Sequence, residues 1–165
     1  GLLSVMLGYL DVDVNKSVLS QFNNGVSFSL PHILETEVAE LLVEMVPCAE
    51  MVRFGKNGTD ATSAAVRLAR AFTGREHILV CGYHGWQDWY IGSTTRDLGV
   101  PYAVKELTHS FKYNDLNNLN AYFEKLKNKV ACVIMEPMNF YYPNKGYLEQ
   151  VKHLAHNNRA PLVVD

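Results

Sequence analysis

Val38, Leu41, Leu42 and Met45 recur at i, i+3, i+4 and i+7 while Glu37, Glu40 and Glu44 fall opposite, which predicts an amphipathic helix from about Glu35 to Val46. Pro47 stops it. Met51 to Phe54 reads as a short strand, and a second helix is expected from Thr59 to the stop at Gly74, with Ala61, Ala65, Leu68 and Phe72 as its apolar face. Arg75, just beyond, is expected to be exposed. His77 to Cys81 is the next strand, followed by an aromatic loop around Tyr83, His84, Gly85 and Trp86. Asp115 suits the N-cap of a helix carrying Leu116, Leu119, Phe123 and Leu126, and Val130 to Met135 reads as a fully buried strand. A last helix, from about Gly146 to His156, offers Leu148, Val151 and Leu154 or Ala155 to a core, and Pro161 to Asp165 reads as a buried strand. Helix and strand alternate, so the expected class is α/β with a mainly parallel sheet.

Composition narrows the function classes. The chain has 165 residues, 48% hydrophobic and 19% charged, with a net charge of −2, as befits one domain or part of one. The lysines and arginines are scattered, which argues against nucleic acid as a partner. No apolar run reaches the roughly 18 residues of a membrane span, and the start lacks the pattern of a signal peptide. Cys48, Cys81 and Cys132 are far apart and odd in number, which fits buried thiols in a reducing, cytoplasmic setting. The chain begins at Gly1 within an apolar stretch and ends on a strand, so it is expected to be an internal fragment.

In an open α/β sheet, ligands sit beyond the carboxyl ends of the strands. Those positions here are Gly55-Lys56-Asn57-Gly58-Thr59, Gly82-Tyr83-His84-Gly85, Glu136-Pro137 and Asp165. A helix start at Gly58 and Thr59 offers N–H groups to an anion, an aromatic side chain can stack on a ring, and a strand-end carboxylate can pair with a protonated ring nitrogen. Pyridoxal 5′-phosphate (PLP) asks for all three. The plainer readings are a simple glycine turn at Gly55 to Thr59 and loop packing for Tyr83 and His84. Lys56 precedes Gly58, unlike the lysine of a Walker A loop, and no G-x-G-x-x-G follows a strand. His77, Cys81 and His84 make a poor metal set, because i and i+4 on a strand lie too far apart to chelate, so no metal site is expected. His153 and His156 are expected to face solvent, and Glu136 to be a buried carboxylate.

Met51 to Thr62, Ala65 to Arg70, Thr73-Gly74-Arg75, Tyr83-His84-Gly85, Glu136-Pro137 and Val163-Val164-Asp165 together resemble the class III aminotransferases in the same order and at similar spacing. Their glutamate-1-semialdehyde 2,1-aminomutase branch is the nearest resemblance. It implies part of the large domain of a fold-type I PLP-dependent transferase, a three-layer α/β sandwich, with residues 1–165 inside that domain and about 1–35 as its lead-in. It further implies that Asn57, Gly58 and Thr59 hold the phosphate, Tyr83 stacks on the pyridine with His84 beside it, Asp165 binds the ring nitrogen, and Glu136 lines the site. The catalytic pair would then be Asp165 and Glu136. The Schiff-base lysine would lie beyond Asp165, leaving the fragment inactive by itself. A small-molecule amino donor, a carbonyl acceptor and a homodimer of the full-length protein follow from the same resemblance. Lys56 and Asn57 depart from the family's usual Asn-Ser before the Gly-Thr, and Met138-Asn139-Phe140-Tyr141-Tyr142-Pro143 replaces a small, glycine-bearing stretch. The bulk of that segment points away from the aminomutase reaction and toward another substrate pocket. The competing reading is a non-catalytic α/β binding or interaction domain that kept the fold and lost the site.

Overall fold

The computed structural model describes residues 4–138 and 140–165; Gly1 and Asn139, both named above, lie outside the described residues. The chain divides into two compact units, residues 1–54 and 55–165.

The first unit carries helices α1 (Val12–Phe22) and α2 (Ile33–Met45). Asp11 caps α1 by accepting from the Val14 N–H at 2.9 Å, and His32 caps α2 through Nδ1, which accepts from the Leu34 N–H at 3.2 Å. The predicted helix over 35–46 is α2, but no residue of either helix is buried. The strand expected at Met51 to Phe54 does not form. Its backbone joins none of the described ladders, and Met51 is 89% exposed. A strand exists only through pairing, so a short apolar run without a neighbour stays irregular.

The second unit is a parallel four-stranded sheet in the order β2-β1-β3-β4, comprising β1 (His77–Cys81), β2 (Thr108–Ser110), β3 (Val130–Met135) and β4 (Leu162–Val164). Around it run α3 (Gly58–Thr73), α4 (Asp88–Ile91), α5 (Tyr102–Lys105), α6 (Leu116–Lys125) and α7 (Tyr147–Asn157). Successive strand residues point to opposite faces. Ile78, Val80, Cys132 and Ile134 join Val66 and Ala69 of α3 and Trp89 and Tyr90 of α4. Leu79, Cys81, Val133 and Met135 join Leu119 and Phe123 of α6 and Val151 and Ala155 of α7. Two apolar layers on one parallel sheet explain why β3 is apolar throughout. No helix among the described residues is long and apolar enough to cross a membrane.

Several expectations shift. The buried face of α3 is Thr62, Val66 and Ala69, one residue round from the expected stripe, and Leu68 and Phe72 are 70% and 81% exposed. Small side chains bring α3 close to the sheet, and the Thr62 hydroxyl is satisfied internally, so size and hydrogen bonding outweigh hydrophobicity there. Arg75 is half-buried: its Nη1 donates to the Val130 and Asn158 carbonyls at 3.1 and 2.8 Å, tying the end of α3 to β3 and α7. On α7 the buried set includes Tyr147, with Leu148 and Leu154 half-buried and His153 and His156 exposed. Strand β4 is half-buried rather than buried, because it forms the sheet edge, and Cys48 is exposed. Strand β2 escapes the sequence pattern because Thr108-His109-Ser110 carries no apolar run; the Thr108 hydroxyl donates to the Trp89 carbonyl at 2.6 Å.

His77 and His109 meet across the β1–β2 pair, Nδ1 to Nε2 at 3.0 Å, with their rings stacked at 5.2 Å. Burial lowers both from the ordinary 6.5, with Lys129 adding to the effect at His77 and the other histidine adding to it at His109. Such a pair contributes stability above the unfolded value, and that stability is lost as pH falls from about 6.5 toward the lower folded values. The melting temperature is therefore expected to drop between about pH 7 and pH 5, and to drop less in His109→Phe, which keeps a ring but removes one proton site. Equal slopes by calorimetry for the two proteins would exclude the pair as the source.

Candidate functional site

Four strand ends and one helix start meet at the carboxyl edge of the sheet. Asn57 is the N-cap of α3: its Oδ1 accepts from the Asp60 N–H at 3.1 Å, leaving the Gly58 and Thr59 N–H groups donating to nothing among the described residues. A Cβ on Gly58 would meet no atom within 4 Å. Positive φ values at Gly82 (+105°) and Gly85 (+103°) turn the chain after β1 sharply. A Cβ on Gly85 would collide with Thr59 Oγ1, and one on Gly82 with the Glu136 carboxylate. The Trp86 N–H donates to Thr59 Oγ1 at 3.4 Å, which fastens the turn to the start of α3.

His84 lies inside, 1% exposed. Its Nε2 faces the Cys81 carbonyl at 3.2 Å and its Nδ1 faces Asp165 Oδ2 at 2.8 Å. Both partners are acceptor oxygens, so the ring is held between two acceptors. The His84 carbonyl accepts from the Thr62 hydroxyl at 3.0 Å, and its ring meets Tyr90 edge-on at 5.5 Å. Asp165, one-third exposed at its side chain (34%), makes no other side-chain hydrogen bond among the described residues, so Oδ1 remains to accept from a ligand. Tyr83 is 62% exposed, presents a ring braced edge-on by Tyr90 at 5.7 Å, and donates its N–H to Glu136 Oε2 at 3.2 Å. Glu136 is half-buried rather than buried, since it stands where β3 leaves the core.

The structure thus joins Tyr83 to Glu136 and His84 to Asp165 by direct contacts, Thr59 meets the same turn at Gly85 and Trp86, and Asn57 and Gly58 join through the start of α3. The sequence reading missed Thr62 and Tyr90. Tyr90 donates its hydroxyl to the Gly82 carbonyl at 2.8 Å, and burial and then the Glu136 charge raise its phenol above the ordinary range. The same two causes push the Cys81 thiol up to about 11. Spacing carried no sign of Tyr90, whereas Gly82 and Gly85 were visible as glycines flanking the aromatics.

The arrangement offers an open helix start for an anion, an exposed ring to stack on and a fixed carboxylate, which are the three requirements of a phosphorylated pyridine. The sequence profile of the class-III aminotransferases matches residues 1–165. The chain belongs to this family. It is 38% identical over 177 aligned positions to a glutamate-1-semialdehyde 2,1-aminomutase of Francisella philomiragia, covering 98% of this chain and 41% of that protein. It is 35% identical to a 3-aminobutyryl-CoA aminotransferase of Cloacimonas acidaminovorans, covering 98% and 40%. The chain therefore spans about two-fifths of the length of these curated relatives. A transaminase solved with PLP bound superposes with a TM-score of 0.89 at 26% identity, over 96% of this chain and 41% of that one. The α/β class-III fold expected from the sequence is the observed one.

Gly85→Ala is expected to destabilise this class-III chain by about 1–3 kcal/mol from backbone strain, and further through the collision with Thr59. Gly99→Ala, at φ +86° with nothing within 4 Å, carries the strain alone. Urea unfolding of both separates the two effects; equal losses would mean that Thr59 yields without cost.

Proposed function

We propose that residues 1–165 belong to the large domain of a PLP-dependent enzyme that moves an amino group between a small-molecule amine and a carbonyl acceptor. The observation that carries this reading is the His84–Asp165 pair at 2.8 Å, in contact with both the start of α3 and the Tyr83 loop.

PLP, when bound, supplies an electron sink for charge developing on the substrate carbon. The residues of this chain do the rest. The Gly58 and Thr59 N–H groups, reinforced by the dipole of the 16-residue helix α3, receive the phosphate, and Asn57 keeps that helix start in place. Tyr83 would lie against one face of the pyridine. His84 pins one oxygen of Asp165, so the other would accept from a protonated ring nitrogen and hold the proton there. Glu136 fixes the Tyr83 backbone and lines the site. Asp165 and Glu136 are thus the chain's catalytic candidates, with Asn57, Gly58, Thr59, Tyr83 and His84 as cofactor contacts.

Homodimerisation of the whole protein belongs to the same reading; the exposed apolar residues of α1 and α2, among them Leu19, Phe22, Leu41 and Met45, favour a covering partner. A cytoplasmic setting fits the free thiols of Cys81 and Cys132. The bulk of Phe140, Tyr141 and Tyr142 after Glu136 argues for a substrate pocket other than that of the aminomutases.

Tyr83→Ala is expected to weaken PLP binding by about tenfold, and Tyr83→Phe by no more than about threefold, because stacking requires the ring and not the hydroxyl. Titration followed by the cofactor's absorbance measures both. Equal losses would remove Tyr83 from the stacking role.

A further inference from the structure

The segment after β3 is held by a residue pair outside the cofactor contacts. Asn114, between β2 and α6, is not glycine yet sits at φ 60°. Asparagine tolerates the left-handed region better than most side chains, and here both ends of its amide are used. Nδ2 donates to the Tyr142 carbonyl at 3.0 Å, and Oδ1 accepts from the Asn144 N–H at 2.9 Å. Its neighbour Tyr113 donates its hydroxyl to the Pro137 carbonyl at 2.6 Å. Tyr113 is itself braced edge-on at 5.2 Å by Tyr147, which is 2% exposed and belongs to the core.

These bonds fasten the chain immediately after Glu136 and again at 142 and 144. The Glu136 N–H completes the hold by donating to the Cys81 carbonyl at 3.1 Å. The one carboxylate oxygen that receives the Tyr83 N–H therefore rides on a segment set from three sides. Between the anchors, Phe140 and Tyr141 line a cavity of about 160 Å³ with Cys81, Gly82, Tyr113 and Glu136. That path reaches the candidate site only at Glu136 and Tyr83.

We propose that Tyr113 and Asn114 are positioning residues, which set Glu136 and through it the backbone of Tyr83. The proposal rests on Tyr83 and Glu136 forming the cofactor site. The path runs through two links, from Asn114 and Tyr113 to Pro137, Tyr142 and Asn144, and from Glu136 Oε2 to the Tyr83 N–H. A clamp serving only the fold would affect the strands as much as Tyr83, whereas a positioning clamp acts on Tyr83 and spares the strands.

Two variants separate these cases. Asn114→Gly keeps the left-handed backbone accessible and removes both amide contacts, and Tyr113→Phe keeps the ring and removes a single hydroxyl. Amide hydrogen exchange, followed by NMR, is expected to quicken about tenfold at Tyr83 in each variant, with protection of Leu79 in β1 and Val133 in β3 unchanged. PLP affinity is expected to fall about fivefold in each variant, because each loosens the single bond from the Tyr83 N–H to Glu136. Unchanged exchange at Tyr83 in Tyr113→Phe would overturn the proposal, and so would a uniform rise across β1 and β3. If Asn114→Gly loosens the strands, the single-hydroxyl variant decides alone. Should the wild type fail to bind PLP, the functional reading falls, yet the Tyr83 exchange rate still decides whether the clamp positions it.

Discussion

A buried imidazole is the constraint from which the strand-end architecture follows. His84 is 1% exposed, and a ring with two polar nitrogens can be so placed only if both are satisfied. The Cys81 carbonyl serves one and the Asp165 carboxylate the other. Strands β1 and β4 are not neighbours, since β3 lies between them, so this contact spans the sheet where the backbone ladder does not. It also fixes where the His84 carbonyl points, and that carbonyl receives the Thr62 hydroxyl from the first turns of α3. Removing either nitrogen's partner would leave a desolvated polar group, at a cost of about 1–3 kcal/mol.

From that pair the remaining geometry is a matter of close approach. Gly85 is glycine because Thr59 occupies the place of its Cβ, and Gly82 because the Glu136 carboxylate does. The turn between them carries Tyr83 outward, its ring steadied by Tyr90, and brings the start of α3 to the same edge. Two apolar layers hold the strands, so the polar groups at their ends are set by a rigid frame rather than by a loop.

The parts visible in the sequence were those governed by local rules. The Gly74 stop, the Asp115 cap and the apolar run of β3 each obey a short-range pattern, and each stands where that pattern put it. What could not be read depends on contacts between distant residues. The inward face of α3 is chosen by the Thr62–His84 bond and by how closely the helix meets the sheet, not by its most apolar stripe. Strand β2 exists through pairing with β1, although its residues are polar. Met51 to Phe54 has strand-like residues and no partner among the described strands. At the site, motif order indicated the residues at the strand ends, whereas the supports of Tyr90, Tyr113 and Asn114 come from other elements and left no mark in local spacing.

The central claim is that the helix start at Gly58 and Thr59, the Tyr83 ring and the His84–Asp165 pair form one binding site. A crystal structure of the protein grown with PLP tests it most directly. The account predicts phosphate oxygens within hydrogen-bond distance of the Gly58 and Thr59 N–H groups, the pyridine against Tyr83, and the ring nitrogen at Asp165 Oδ1 while Oδ2 stays on His84. A cofactor bound away from the start of α3, or with its ring nitrogen turned from Asp165, would contradict it.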